Sequence, residues 1–181
     1  MSDISQVKAV ILAGGLGTRL QAVVSDRPKV TAEINGKPFL CYLLDQLADT
    51  GIERVIISTG YMADTVEDIM GTSYKSLHVD YSKEKTPLGT AGALKLVEQS
   101  VDMDQCLVMN GDSYTQFDPS SLLISHKQQN ANITLLVKAV DDTSRFGTIQ
   151  MNKQNKIIKF MEKGSDKRPG LINAGVYMVN T

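Results

Sequence analysis

The sequence predicts an α/β fold: a mainly parallel sheet flanked by helices, with an antiparallel extension toward the C-terminus. Three observations carry this expectation. Short β-branched apolar runs recur up to Val140, as expected of strands buried on both faces. Helix-length amphipathic segments stand between them, and such alternation builds a parallel sheet. After Val140 the alternation stops, and strand-like segments follow one another with only turns between them.

Val7 to Leu12 is the first strand and ends in Ala13-Gly14-Gly15. Pro38 to Leu47 has the spacing of an amphipathic helix with Pro38 near its start, and Thr50-Gly51 ends it. Arg54 to Ser58 is the next buried strand, Ala63 to Met70 a helix and Leu77 to Tyr81 a strand. Ala91 to Gln99 is a helix after the Gly89-Thr90 turn. Cys106 to Asn110 is a strand cut off by Gly111-Asp112. Ser120 to Gln129 is a helix and Ile133 to Val140 a strand. Gly147 to Met151, Lys156 to Met161 and Leu171 to Val179 form the antiparallel extension, placed to cover one side of a pocket.

With 181 residues, 42% of them apolar and 22% charged, the chain has the size and composition of one soluble globular domain. The net charge of -1 argues against wholesale binding to nucleic acid or to an anionic membrane, both of which need a basic excess. Cys41 and Cys106 each sit in an apolar run, with no spacing that suggests zinc or a disulfide framework. The N-terminus is polar, and no segment has the roughly 18 apolar residues of a membrane span. The expected location is therefore the cytoplasm.

The chemistry concentrates in Gly14-Gly15-Leu16-Gly17-Thr18-Arg19-Leu20, directly after the first strand. Glycines let backbone N–H groups approach a ligand, and consecutive N–H groups make a concavity for anions. Open α/β sheets bind ligands at the C-terminal ends of their strands. Arg19 adds a planar cation suited to phosphate oxygens. By itself this could equally be a tight strand-to-helix turn with a surface arginine. No lysine follows the last glycine, as a P-loop requires. Leu20 occupies the third glycine position of a dinucleotide fingerprint. Lys29, stiffened by Pro28, supplies a second cation at a spacing that lets it face the same phosphates.

This loop with Pro28-Lys29 resembles the signature of the sugar-1-phosphate nucleotidyltransferases. Further motifs follow in that family's order: Pro87-Leu88-Gly89-Thr90-Ala91-Gly92-Ala93, Asn110-Gly111-Asp112, Arg145-Phe146-Gly147, Phe160-Met161-Glu162-Lys163 and Asn173-Ala174-Gly175. A collinear set is far more specific than any one member. Lys37-Pro38-Phe39-Leu40, the stretch Glu84 to Thr90 and the stretch Met109 to Tyr114 are most similar to guanylyltransferases acting on D-glycero-D-manno-heptose 1-phosphate. That step leads to GDP-heptose for surface polysaccharide. Mannose-1-phosphate guanylyltransferases are near neighbours.

The resemblance implies a Rossmann-like nucleotide-diphospho-sugar transferase fold and two substrates, a nucleoside triphosphate and a sugar 1-phosphate. It implies that Leu12, Ala13, Gly14, Gly15, Gly17, Thr18, Gly89 and Thr90 bind the nucleotide. Arg19 neutralises the departing pyrophosphate and Lys29 bridges the reacting phosphates. Asp112, after an apolar strand, holds Mg²⁺ with the phosphates. Glu162 and Asn173 hold sugar hydroxyls, Gly147 offers a backbone N–H, and Lys163 meets the acceptor phosphate. Each has a plainer reading: a turn aspartate, a turn glycine, a solvated charge. Asp104 and Asp118 read as loop or cap residues, and His78 and His126 as structural or surface ones.

Two departures stand out. Val30-Thr31-Ala32-Glu33 follows Pro28-Lys29 where the family often continues with further prolines. The family also supplies a second metal-binding aspartate beyond the Asn-Ala-Gly strand, and the chain ends at Thr181. The expectation is one nucleotidyltransferase domain over residues 1–181 that lacks its C-terminal segment, with a homo-oligomer compatible. A non-catalytic binding module is the competing expectation, against which Arg19, Lys29, Asp112 and Lys163 all stand intact.

Overall fold

The structure is a computed structural model and describes residues 4–15, 28–164 and 167–181. It divides into two compact units. The first takes in residues up to Thr134 together with Tyr177–Thr181, and the second is Leu135–Val176.

In the first unit the chain runs through β1 (Lys8–Leu12), β2 (Glu33–Ile34), β3 (Lys37–Pro38), α1 (Phe39–Ala48), β4 (Arg54–Thr59), α2 (Ala63–Met70), β5 (Ser73–Tyr74), β6 (Leu77–Lys83), α3 (Gly89–Ser100), β7 (Gln105–Asn110) and α4 (Pro119–Gln128). The strand order is β7-β1-β4-β6-β5. β1 pairs in parallel with both β4 and β7, and β4 with β6, whereas β5 is antiparallel to β6. The central strands are apolar through their middles because both faces are covered. Ala9, Val10 and Ile11 are buried, as are Val55, Ile56 and Ile57 and, on β7, Cys106, Leu107, Val108 and Met109.

Helix α1 buries Leu40, Leu43, Leu44 and Leu47, the i, i+3, i+4, i+7 stripe of an amphipathic helix. Helix α3 buries Ala93 and Val97, and Val97 joins Val10, Ile56, Cys106 and Val108 in one core cluster. Tyr177 and Val179 pack on that cluster. Asp118 caps α4 by accepting from the Ser120 and Ser121 N–H groups at 3.0 and 3.2 Å, with Pro119 in the first turn.

Register decides where the site lies. Leu12 stands opposite both Ser58 and Asn110, and Thr59 opposite Lys83. The strands therefore end level, and the glycine-rich segments that follow them share one edge. Three hydrogen bonds tie that edge. Ala13 N–H donates to Ser58 O at 2.7 Å, Gly111 N–H to Leu12 O at 2.9 Å, and Glu84 N–H to Thr59 O at 2.8 Å.

The second unit holds most of β8 (Ile133–Val140) and of β11 (Gly170–Asn180), with β9 (Thr148–Met151) and β10 (Ile157–Met161) between them in the chain. Here β9 is antiparallel to both β10 and β11, and β8 also pairs with β11. The strand–helix alternation before Val140 and the antiparallel strands after it are both present.

The differences from the expected elements are local. α3 starts at Gly89, two residues before Ala91, with Leu88 rather than Gly89-Thr90 at its cap. Gly89 has φ of +70°, which only glycine adopts freely. β6 runs on to Lys83 because Ser82 and Lys83 pair with Ser58 and Thr59. The two-residue strands β2, β3 and β5 are additional.

Both cysteines are free and buried. His126 is buried, with Nδ1 at 2.8 Å from Thr134 Oγ1 and Nε2 at 2.8 Å from Asn180 Oδ1. Asn180 Nδ2 donates to Ala131 O, which turns Oδ1 toward the ring and assigns the proton to Nε2. His126 is thus a structural histidine. His78 is an exposed partner of Asp80.

Candidate active site

The level strand ends of the first unit open onto a cavity of about 490 Å³, within the usual range for small-molecule sites. One wall is Leu12, Gly14 and Gly15 at the end of β1, and another is Asn110 and Asp112 at the end of β7. Glu84, Pro87, Gly89, Thr90 and Ala93 close the third side. Two smaller cavities adjoin through shared residues. One, of about 80 Å³, lies between Ala13, Gly15, Lys29 and Asp112, and the other, of about 200 Å³, lies between Gly14, Gly60, Tyr61 and Glu84.

Close approach explains two of the glycines. A Cβ on Gly111 would lie 2.7 Å from Leu12 O and 3.3 Å from Ile11 Cγ2, so no larger residue fits between β7 and Asp112. A Cβ on Gly14 would lie 2.8 Å from Glu84 Oε1. Glu84 ties three elements together: Oε2 accepts Leu88 N–H at 2.9 Å, just ahead of α3, and Oε1 accepts the Ser58 hydroxyl at 3.4 Å. Its carboxylate is the acidic group on the helix side of the cavity. The first N–H groups of α3 have no intrahelical partner, and they lie where Gly89 and Thr90 line the wall.

Lys29 and Asp112 meet. Lys29 Nζ donates to Asp112 Oδ2 at 2.8 Å, and the Ser113 hydroxyl donates to Oδ1 at 3.2 Å. Asp112 is half-buried. Burial pushes its pKa up, but the Lys29 ammonium and the Ser113 hydroxyl outweigh that and hold it below the usual carboxylate range. Lys29 is held from behind. Pro28 precedes a 3₁₀ turn over Lys29–Thr31 in which Val30 and Thr31 are buried. Thr31 returns its N–H and its hydroxyl to Pro28 O at 3.0 and 2.8 Å. The N–H groups of Thr31 and Ala32 donate to Pro28 O and Lys29 O at 3.0 and 3.1 Å, bonds that prolines at those two positions would lack.

Among the described residues, no three His, Cys, Asp or Glu side chains come together. Asp112 therefore offers one carboxylate, the donor set that suits Mg²⁺ when phosphates and water complete the shell. A cation already sits on that carboxylate, so the position accepts positive charge.

The second unit has its own cavity, of about 310 Å³. Gly147, Glu162 and Asn173 line it, together with Phe146, Phe160 and Ile172. Asn173 Oδ1 accepts Gly175 N–H at 2.8 Å, and Gly175 has φ of +76°. Lys163 is exposed and does not line this cavity.

Of the residues singled out in the sequence, Leu12, Gly14, Gly15, Gly89, Thr90 and Asp112 share the first cavity, and Ala13 and Lys29 adjoin it. Gly147, Glu162 and Asn173 share the second. Gly17, Thr18 and Arg19 lie outside the described residues. Glu84, Pro87, Ala93 and Asn110 line the first cavity without having been singled out. All four had a signal: Glu84 and Pro87 belong to the stretch Glu84 to Thr90, Ala93 to the motif that begins at Pro87, and Asn110 to Asn110-Gly111-Asp112. No helix among the described residues is long and apolar enough to cross a membrane.

Comparison with known proteins places this geometry. The chain is 38% identical over 174 residues to D-glycero-alpha-D-manno-heptose 1-phosphate guanylyltransferase of Aneurinibacillus thermoaerophilus, covering 96% of this chain and 75% of that protein. It is 38% identical over 173 residues to the enzyme of the same name from Campylobacter jejuni subsp. jejuni serotype O:2, covering 96% and 76%. The crystal structure of HddC from Yersinia pseudotuberculosis complexed with GMP-PN superposes with a TM-score of 0.85 at 36% identity, over 96% of this chain and 76% of that one. Residues 8–181 match the nucleotidyl transferase family, from the strand that leads into the glycine loop to the last strand, and the chain belongs to that family.

Proposed function

We propose that the chain moves GMP from GTP to D-glycero-α-D-manno-heptose 1-phosphate, giving GDP-heptose and pyrophosphate. A sugar-phosphate oxygen attacks the α-phosphorus of GTP, and the bond from that phosphorus to the β-phosphate bridging oxygen breaks. The observation that carries this reading is the cavity at the strand ends. There an acidic group, Glu84, and a cation–carboxylate pair, Lys29 and Asp112, flank glycine backbone. Two polyanions must be brought together, so catalysis is mostly positioning and charge neutralisation.

Glu84 supports GTP over other triphosphates. Guanine presents N1–H and N2–H₂ side by side, a donor pair that a carboxylate accepts with two oxygens. Adenine presents an acceptor at N1, and pyrimidines flank their N3 with carbonyl or amino groups. Asp112 would hold Mg²⁺ together with the phosphates, and a bound ion would supply positive charge against the leaving pyrophosphate. Lys29 and Arg19 carry the rest of that charge. In the second unit, Glu162 and Asn173 offer acceptor and amide groups for sugar hydroxyls between Phe146 and Phe160.

Competitive titration of GTP, ATP and UTP against the chain and its Glu84→Gln variant tests the base assignment. The parent prefers GTP, and the variant loses roughly tenfold of that preference, the scale of one charge-assisted hydrogen bond. An unchanged ranking in the variant removes Glu84 from base recognition.

A further inference from the structure

We infer that Lys29 holds the place of the divalent ion on Asp112 and is released toward the substrate phosphates when that ion binds. This rests on Asp112 as the metal position, and it adds how the position is kept ready. Lys29 Nζ sits 2.8 Å from Asp112 Oδ2, while the Ser113 hydroxyl donates to the other oxygen at 3.2 Å. The other donors to this carboxylate, the Ser113 hydroxyl and the Asp112 backbone N–H, are neutral, so among the described residues Lys29 is its counter-charge.

Three features make the pair an exchangeable one. It is partly open to solvent, with the two side chains 32% and 50% exposed, so neither partner is locked in by packing. The Lys29 backbone is fixed by the buried Val30 and Thr31, so only the flexible side chain has to move. The small cavity between Ala13, Gly15, Lys29 and Asp112 shares Leu12, Gly15 and Asp112 with the larger one, so the ammonium swings within a continuous space. A divalent ion and the ammonium cannot share Oδ2, because like charges at that range repel. Arrival of the ion with the nucleotide displaces the lysine, and triphosphate oxygens are the anions it then meets. One exchange thus fills the metal position and points a cation at the reacting phosphates. Before substrate arrives, it also keeps Asp112 from standing as an uncompensated, partly buried charge.

The test is metal binding without nucleotide. Mn²⁺ takes the same oxygen ligands as Mg²⁺ and broadens nearby amide resonances. Paramagnetic broadening of the Gly111, Asp112 and Ser113 amides is followed in the parent, in Lys29→Met, which keeps the chain length without the charge, and in Asp112→Asn. Lys29→Met is expected to reach half-broadening at roughly three- to tenfold lower Mn²⁺, the scale of a partly exposed ion pair plus relief of repulsion. Asp112→Asn is expected to lose the site. Equal or weaker Mn²⁺ binding by Lys29→Met, with the site still lost in Asp112→Asn, overturns the exchange and leaves the metal position standing. Undiminished broadening in Asp112→Asn overturns both.

Discussion

Replacing Gly111 and Gly14 by alanine separates a rigid close contact from a yielding one. A Cβ at Gly111 meets the partner strand, backbone Leu12 O at 2.7 Å and the buried side-chain Ile11 Cγ2 at 3.3 Å. Neither can retreat, because the Gly111 N–H bond to Leu12 O draws the two strands together at the same point. Overpacking of this kind costs about 1–3 kcal/mol, and the stiffer unfolded chain returns about 0.4–1 kcal/mol. A net loss of about 1–2 kcal/mol lowers Tm of a chain this size by roughly 2–8 °C. A Cβ at Gly14 meets Glu84 Oε1, the tip of a flexible side chain, at 2.8 Å. Glu84 can swing aside, giving up the weak Ser58 contact, so Gly14→Ala should melt within about 2 °C of the parent. Its cost appears in nucleotide binding, because the displaced carboxylate leaves the cavity wall. Thermal melts and nucleotide titrations on both variants check this. A Gly111→Ala protein as stable as the parent, or a Gly14→Ala protein that loses stability and keeps nucleotide binding, would refute the reasoning.

Asp112→Asn keeps size and loses charge, so its nucleotide titrations with and without Mg²⁺ should converge; a metal dependence equal to the parent's makes Asp112 only a turn residue. Lys163→Ala should raise the sugar 1-phosphate requirement about tenfold and leave nucleotide binding unchanged, as separate titrations of the two substrates would show. Equal weakening of both substrates places Lys163 elsewhere. Asp45 supplies a pH test away from the site. It accepts from Lys37, from Lys75 at 2.7 Å and from Tyr74 at 3.0 Å. Burial pushes its pKa up, but these donors bring it down to about 2. A folded pKa below the unfolded one contributes stability above about pH 4 that is lost as pH falls through the folded value. The stability gap between parent and Asp45→Asn should therefore shrink between about pH 4 and pH 2, and a gap that stays constant removes the ionised pair from the stability of this corner.

The strands that were legible in the sequence are those whose burial is decided by their own residues. Ala9 to Ile11 and Val55 to Ile57 are apolar because both faces are covered, and α1 shows its leucine stripe without any knowledge of its partners. What escaped depends on pairing or on side-chain reach. Two residues at Glu33–Ile34 or Ser73–Tyr74 carry no periodicity, and Ser82 and Lys83 become strand only through Ser58 and Thr59. The glycine loop and Asp112 were visible because glycine and an acid after an apolar strand are local signals. Glu84 stands in the Glu84 to Thr90 stretch, but its role does not show there, since it lies in reaching Gly14, Ser58 and Leu88 at once. The Lys29–Asp112 contact joins residues 83 apart in the chain, and no spacing rule shows it.

The measurement that bears most directly on the central claim is pyrophosphate release from a matrix of GTP, ATP, UTP and dTTP against the 1-phosphates of D-glycero-α-D-manno-heptose, mannose and glucose, with and without Mg²⁺. Glu84 on the cavity wall and the single carboxylate of Asp112 lead us to expect fastest release from GTP with the heptose 1-phosphate, and little release from any pair once Mg²⁺ is removed. Comparable rates with several bases, or metal-independent release, would contradict the account. Nucleotide binding with no release from any pair would make the chain a binding module.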